Sequence, residues 1–240
     1  MLPFFLIQTM TDIRLINFLS EFVSERRLAL IENVLSNRTR YITVLLEDIY
    51  QSQNASAVLR TCECMGIQDI HVIENRNPYH YNPGVAMGSG KWTNIYKYNK
   101  FENNTIQAIE ALKANNYRIV ATVPGENCTS LADFDVEKGK IAIVLGSEVV
   151  GISDDIRAHA DELLTIPMFG FTESFNISVS TAIILHHLMG KLKASELDWQ
   201  LTEPEKLILE LEWLKASVKK PELLIKKFFE MTQTEAPKHL

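Results

Sequence analysis

The run YITVLLEDI at positions 41–49 constrains the fold more than any other stretch of the chain. A strand with one face in water alternates apolar and polar residues, whereas this run is almost continuously apolar and β-branched. It therefore predicts a strand that is buried on both faces. Strands of that kind occur mainly in parallel sheets whose two faces are covered by helices, so the run favours an α/β fold.

Predicted strands and helices alternate along most of the chain. The segment 54–66 predicts a helix closed by Gly66, and the segment 67–74 predicts a second strand, which completes a βαβ unit. Further predicted strands lie at 93–98, 117–123, 140–146 and 163–166, and further predicted helices at 102–115, 153–160 and 174–193. This alternation predicts a mostly parallel sheet with helices on both faces.

Helical segments at both ends lie outside this pattern. Apolar residues recur at helical spacing over 12–37, and helices are also predicted over 203–217 and 221–231. The first nine residues lack the basic region and the cleavage site of a signal peptide and are too short to span a bilayer, so we expect a misread start or a disordered leader and no membrane segment. The expected parts are a basic helical arm, a core and a second helical arm, at residues 1–40, 41–193 and 194–240.

Charge and cysteine content narrow the class of protein. The formal net charge of −6 argues against a polycation that binds nucleic acid everywhere on its surface, although it allows a local basic patch. The three cysteines are odd in number and lack zinc-type pairing, which favours a reduced, cytoplasmic protein. The six histidines show no ligand spacing either, so no metal site is expected.

Two polar junctions are ambiguous when each is taken alone. Asn54 and Arg60 are six residues apart, about 240° around a helix, so one ligand cannot meet both from interior helix positions. An N-cap asparagine and a surface arginine are the simpler interpretation. The loop LGSEVVGIS, 145–153, matches neither a P-loop nor a nucleophile elbow. Its Glu148 is either a solvated carboxylate of a tight turn or a group that anchors a polar partner.

The segment 163–185 carries a stronger signal. A strand-like stretch runs through Pro167 into a long apolar helix that opens near Ser174 and Asn176. One helix needs only one cap, yet Ser178 and Ser180 crowd the same turn. Because ligands bind at the carboxyl ends of strands in open α/β sheets, this excess of small polar groups indicates a binding surface.

The three segments together resemble a known family. NASAVLRTCECMG, LGSEVVGIS and IPMFGFTESFNISV are similar, in order and in spacing, to the three motifs of the SpoU-type (SPOUT superfamily) RNA ribose methyltransferases. The resemblance covers about residues 41–193. The flanking segments NRTRYITVLLEDI and GSGKW are similar to the TrmH-type tRNA (guanosine-18) branch, and the 40 residues before the core leave no room for the N-terminal substrate domain of the ribosomal-RNA branch.

The resemblance implies a fold and a cofactor that the pattern of strands does not. Members of this family thread the last part of the core, here about 140–185, into a deep trefoil knot, and they act as homodimers with the active site near the interface. They bind S-adenosyl-L-methionine in the knot. The positions that match its binding residues are Thr122, Gly146, Ile166, Met168 and Phe175. The family usually has Leu at the last of these, and an aromatic ring could still line an adenine pocket.

The resemblance also implies the catalytic residues. They are Arg60, Asn54, Glu148, Ser174 and Asn176. Because arginine is effectively always protonated, we expect Arg60 to hold the phosphate and polarise the ribose hydroxyl, with a role as base left open. The other four would orient Arg60, the ribose and the cofactor.

Basic residues in the two arms are candidate contacts to the tRNA backbone. They are Arg26, Arg27, Arg38 and Arg40 in the first arm, with Lys215, Lys219 and Lys220 in the second. Such contacts position an RNA without reading its sequence. Solvated helix faces are the alternative, since several glutamates share the C-terminal arm.

The sequence therefore predicts a tRNA ribose 2'-O-methyltransferase that acts on guanosine 18. Two alternatives stay open: a methyltransferase of another tRNA position or of ribosomal RNA, and a knotted RNA-binding protein without activity.

Overall fold

The computed structural model describes residues 4–125 and 127–232, with side chains from residue 12 onward. Parts of the predicted leader and of the C-terminal arm, residues 1–3 and 233–240, lie outside the described residues. Within that range the chain forms nine α-helices and seven β-strands. None of these helices combines the length and the apolar character needed to cross a membrane.

The predicted elements occur in the predicted order, and the short helix α4 and the short strand β5 occur in addition. The helices are α1 Phe4–Ser20, α2 Glu25–Leu35, α3 Ser52–Cys64, α4 Pro83–Ala86, α5 Thr105–Ala114, α6 Asp154–His159, α7 Ile177–Ala194, α8 Glu203–Ser217 and α9 Pro221–Thr232. The strands are β1 Ile42–Glu47, β2 Asp69–Ile73, β3 Asn94–Tyr98, β4 Arg118–Thr122, β5 Thr129–Ser130, β6 Ile141–Leu145 and β7 Glu162–Thr165.

The seven strands form one sheet in the order β3-β2-β1-β6-β4-β7-β5, and every pairing in it is parallel. Every residue of β1 is buried, as the unbroken run at 41–49 predicts. Successive side chains of a strand point to opposite faces, so Val44 belongs to the apolar cluster that includes residues of α3 and α7, whereas Leu45 belongs to the cluster that includes residues of α5 and α6. The predicted α/β class, with helices on both faces of a parallel sheet, is confirmed.

The chain divides into two compact units, and residues 39–200 form the unit that contains the sheet. The other unit combines residues 1–38 with residues 201–240. In that unit α1 packs against α8 and α9, and α2 packs against α8. The segments predicted as arms at the two ends of the chain are therefore parts of one helical unit.

Three local predictions differ from the structure. The stretch 12–37 is two helices, because Ser24 accepts a hydrogen bond from the backbone N–H of Arg27 and starts α2 after a break. Helix α1 begins at Phe4, inside the expected leader. Helix α3 begins at Ser52, so Asn54 lies in its first turn and is not its cap.

Candidate active site

A cleft of about 520 Å³ lies at the carboxyl ends of β4, β6 and β7. Its wall includes apolar side chains such as Leu145 and Ile184 beside polar groups such as Ser180. All five positions predicted to bind a cofactor line this one cleft: Thr122, Gly146, Ile166, Met168 and Phe175. Parallel strands bring these positions together because their carboxyl ends meet at one edge of the sheet.

The loop after β6 closes one side of the cleft. Ser147 and Gly151 exchange two backbone hydrogen bonds of 3.0 and 2.9 Å across this loop. A Cβ on Gly146 would lie 2.1 Å from the carbonyl carbon of Gly151, and Gly151 itself has a φ of +75°. The tight loop therefore requires glycine at position 146 for space and favours it at position 151 for its backbone conformation.

Three of the predicted catalytic residues form a hydrogen-bonded chain. Asn54 Nδ2 donates to Glu148 Oε1 at 2.9 Å, and Asn176 Nδ2 donates to Asn54 Oδ1 at 3.1 Å. Asn176 caps α7, since its Oδ1 accepts from the backbone N–H of Ser178 at 2.9 Å. The structure therefore joins the ends of three segments that are far apart in the sequence, and it confirms the helix start predicted near Asn176.

The Glu148 carboxylate is the acceptor at one end of this hydrogen-bonded chain. It also accepts from the backbone N–H groups of Tyr50 at 3.1 Å and Gln51 at 3.4 Å. Burial alone would raise the pKa of Glu148, but the hydrogen bonds from Asn54 and from backbone N–H groups outweigh it and hold the pKa below its ordinary value. Glu148 is therefore ionised at neutral pH and fixes the orientation of the Asn54 amide.

The remaining two predicted catalytic residues are not part of this hydrogen-bonded chain. Ser174 lines the cleft. Arg60 is exposed on α3, while Asn54 on the same helix is buried, as their spacing around a helix requires. Arg60 makes no hydrogen bond or ion pair with another residue of the described part of the chain.

The basic residues expected to contact RNA are in different environments. Arg26, Arg27, Lys219 and Lys220 are exposed. Arg38 does not fit the prediction, because it is fully buried and its guanidinium lies 5.2 Å from the centre of the Trp213 ring. Arg40 forms an ion pair of 2.8 Å with Asp69. Lys215 is half-buried, and burial lowers its pKa.

Sequence analysis missed several groups that build the site. The backbone donors at Tyr50 and Gln51 cannot be recognised from the sequence, because they do not depend on the type of side chain. Glu47 could have been recognised, because it is a carboxylate at the end of a buried apolar run. It is only 3% exposed and accepts from the backbone N–H of Ser153 at 2.8 Å and from its hydroxyl at 2.7 Å, so it fixes the start of α6 beside the loop.

Comparison with known proteins identifies the family. Residues 41–186 match the sequence profile of the SpoU rRNA Methylase family. A tRNA (guanosine(18)-2'-O)-methyltransferase of Borreliella burgdorferi is 43% identical over 204 residues, which cover 85% of this chain and 91% of that protein. An enzyme of the same name from Thermus thermophilus is 32% identical over 183 residues, 76% of this chain and 92% of its own length. The crystal structure of the A. aeolicus TrmH/SpoU tRNA modifying enzyme gives a TM-score of 0.71 at 29% identity and covers 82% of this chain and 98% of that chain. The chain therefore belongs to the SpoU rRNA methylase family.

Proposed function

We propose that this protein is an S-adenosyl-L-methionine-dependent tRNA ribose 2'-O-methyltransferase that acts on guanosine 18 in the D-loop. The observation that carries the proposal is the hydrogen-bonded chain of Glu148, Asn54 and Asn176 beside the cleft. The likeness to two guanosine-18 enzymes over most of their length supports this target.

The cleft fits the proposed cofactor. Its apolar residues suit an adenine ring, and its strand ends present backbone groups to the polar parts of a nucleoside. Thr122, Gly146, Ile166, Met168 and Phe175 would hold it. When bound, S-adenosyl-L-methionine supplies an activated methyl group, so the protein has only to align the acceptor and assist loss of its proton.

The side chains of this protein have defined tasks in that reaction. The Arg60 guanidinium would hold the phosphate beside the target ribose and donate a hydrogen bond to the 2'-oxygen, which makes the hydroxyl proton easier to lose to solvent water as the methyl group is accepted. Asn54 and Asn176, held by Glu148, would fix the ribose so that its 2'-oxygen faces the cleft. Ser174 would contact the cofactor from the loop before α7.

We propose a homodimer in which the partner brings Arg60 to this site. Arg60 is apart from the Asn54 network within one protomer. Near the cleft the surface is unusually apolar: Val149 is 86% exposed, Phe169 is 98% exposed and Phe171 is fully exposed. Monomeric proteins rarely expose such an apolar patch to solvent. Contact with a second copy would bury these side chains.

We also propose the trefoil knot, over about residues 140–185. In the sheet β6 lies between β1 and β4, and β7 lies between β4 and β5. The later part of the chain thus enters the sheet between strands that come earlier in the sequence, as threading requires.

For the domains we propose a methyltransferase part at 41–193 and helical parts at 1–40 and 194–240. In the helical parts the exposed residues Arg26, Arg27, Lys219 and Lys220 contact tRNA. The place of action is the cytoplasm, where tRNA is present.

The function is tested with labelled S-adenosyl-L-methionine and unmodified tRNA transcript, followed by mass spectrometry of the methylated nucleotide. We expect 2'-O-methylguanosine at position 18. Methylation at another tRNA position or in ribosomal RNA would support the alternative target, and no transfer to either RNA would support a binding protein without activity.

Arg60→Ala is the matching test of mechanism. We expect it to abolish methyl transfer while binding of S-adenosylhomocysteine and tRNA persists, because Arg60 is exposed and makes no hydrogen bond or ion pair to the described residues. Lys138→Ala, which removes another exposed cation, serves as the control and should keep wild-type activity. Full activity in Arg60→Ala would refute the assigned role.

Mixing two inactive variants tests the dimer. If Arg60 acts on the partner's cleft, Arg60→Ala and Glu148→Ala subunits together regain activity, because one site of each mixed dimer has both groups intact. Random mixing should restore about a quarter of wild-type activity, since half of the dimers are mixed and each has one working site. If Arg60 acts within its own subunit, no activity returns.

A further inference from the structure

A second cavity of about 470 Å³ lies at the carboxyl ends of β1 and β2. Four residues of the loop after β6 line both this cavity and the cofactor cleft: Ser147, Val149, Val150 and Gly151. The cavity is lined on its other sides by residues that include Tyr50, Arg76 and Asp155. The Asn- and Pro-rich loop after β2 lines part of this cavity, and the reaction proposed above gives its residues no role.

The wall that carries Arg76 is held rigidly. Asp48 has a φ of +50°, an unfavourable conformation for a residue with a side chain. Its Oδ1 accepts from the backbone N–H groups of Asn75, Arg76 and Asn77 at 2.8, 2.8 and 3.4 Å. The Arg76 backbone is therefore fixed, while its exposed guanidinium has no hydrogen bond or ion pair to the described part of the chain.

The opposite wall offers acceptors. Asn103 Nδ2 donates to Asp155 Oδ2 at 2.7 Å, which orients the Asp155 carboxylate and leaves its Oδ1 and a second acceptor site on Oδ2 available to a ligand. Glu47 lies at the base of the cavity, where the Thr105 hydroxyl donates to it at 3.0 Å. Carboxylates here disfavour a phosphate, and the described residues contain no group of three His, Cys, Asp or Glu side chains arranged for a metal ion. A neutral ligand with N–H donors fits best.

Tyr50 adds a flat surface. The residue is 70% exposed and lines the cavity, and its backbone N–H donates to Glu148 at 3.1 Å. The same residue thus connects the cavity to the proposed catalytic chain. Exposed tyrosine rings are common stacking partners for unstacked RNA bases.

We propose that this cavity receives the guanine base of the target nucleotide. Tyr50 stacks on the base, Asp155 accepts from N1–H and the N2 amino group, and Arg76 donates to O6 and N7. Among the four RNA bases guanine alone places two adjacent donors beside two such acceptors, so the combination selects guanine. The inference rests on the proposed function and adds to it the residues that choose the base.

The test replaces atoms on both sides of the contact. Single-turnover methylation is measured on tRNA with guanosine or 2-aminopurine at position 18, because 2-aminopurine lacks O6 and the N1 proton but keeps the shape of the base. The variants are Arg76→Ala and Asp155→Asn. The controls are Lys138→Ala and Asp154→Asn, an exposed neighbour in the first turn of the same helix that does not line the cavity.

For the wild type and both controls we expect the analogue to lower the rate about 10- to 100-fold. Arg76→Ala and Asp155→Asn should each lose part of that factor on guanosine tRNA. The analogue should slow each of them less than it slows the wild type, because one of the two contacts that it removes is already absent. Unchanged binding of S-adenosylhomocysteine and an unchanged Tm would show that these variants fold.

Two results would overturn the inference. If both variants discriminate against the analogue as the wild type does, the base is read elsewhere, while the proposed function stands. If the wild type methylates no tRNA, the proposed function fails, and the base-binding role fails with it.

Discussion

Gly146→Ala is the substitution for which the structure sets the clearest expectation. The new Cβ would lie 2.1 Å from the carbonyl carbon of Gly151 and 2.3 Å from the backbone nitrogen of Ile152. These are backbone atoms, so no side chain can rotate away. The loop has to open until the contact reaches at least 3.0 Å, which strains or breaks the two hydrogen bonds between Ser147 and Gly151.

The magnitude follows from these contacts. Overpacking in a tight site costs about 1–3 kcal/mol. Each lost backbone hydrogen bond adds about 0.5–1.5 kcal/mol. A free energy of unfolding lowered by 2 kcal/mol or more corresponds to a fall in Tm of at least about 4 °C for a chain of this size. The loop also carries Glu148, so binding in the cleft should weaken as well, by at least about tenfold.

The assays are thermal unfolding and calorimetric titration with S-adenosylhomocysteine. Gly170→Ala is the matched control, since a Cβ at Gly170 meets nothing within 4 Å and its φ is not positive. It should leave both Tm and affinity near the wild-type values. Equal Tm and equal affinity for the two variants would refute the steric argument.

Three further predictions concern pH, charge and assembly. Burial lowers the pKa of His71 to about 4, although Asp69 opposes the shift, so the unfolded chain binds more protons than the folded chain between pH 6.5 and 4. Urea titrations should therefore show about 3 kcal/mol of stability lost as the pH falls from 6.5 to 4, and a much smaller loss in His71→Phe. Asn54→Asp would place a second carboxylate about 2.9 Å from Glu148, so its Tm deficit should be larger at pH 7 than at pH 4, where protonation relieves the repulsion, and an equal deficit would contradict this. Phe171→Ser should weaken the dimer in sedimentation experiments without lowering the stability of the isolated subunit, because the ring is fully exposed in one protomer.

The features that the sequence predicts correctly are local ones. The run at 41–49 predicts the buried strand β1 because burial on two faces requires apolar residues at every position. The start of α7 is predictable because the cap lies within two residues of the N–H that it accepts, as Asn176 and Ser178 show. The spacing of Asn54 and Arg60 likewise predicts that they face different ways.

The features that it does not predict depend on distant partners. Asn54 and Glu148 are 94 positions apart, and only the parallel order of the strands brings them within hydrogen-bond distance. Arginine is a residue type that often contacts RNA, yet Arg38 is buried against Trp213, which is far from it in the sequence. The second cavity is not predictable from the sequence either, since many of its lining residues lie in loops, where the backbone conformation of residues such as Asp48 decides the shape.

The loop from Ser147 to Gly151 has one more consequence, because it is a single thin partition with a proposed ligand on either side. A ligand that shifts or stiffens this partition changes the free energy of binding on its far side. Thermodynamic linkage then makes the effect reciprocal: cofactor and target nucleotide should alter each other's affinity by the same factor. The loop between the cofactor cleft and the base cavity would thus make binding of the cofactor and of the target nucleotide cooperative.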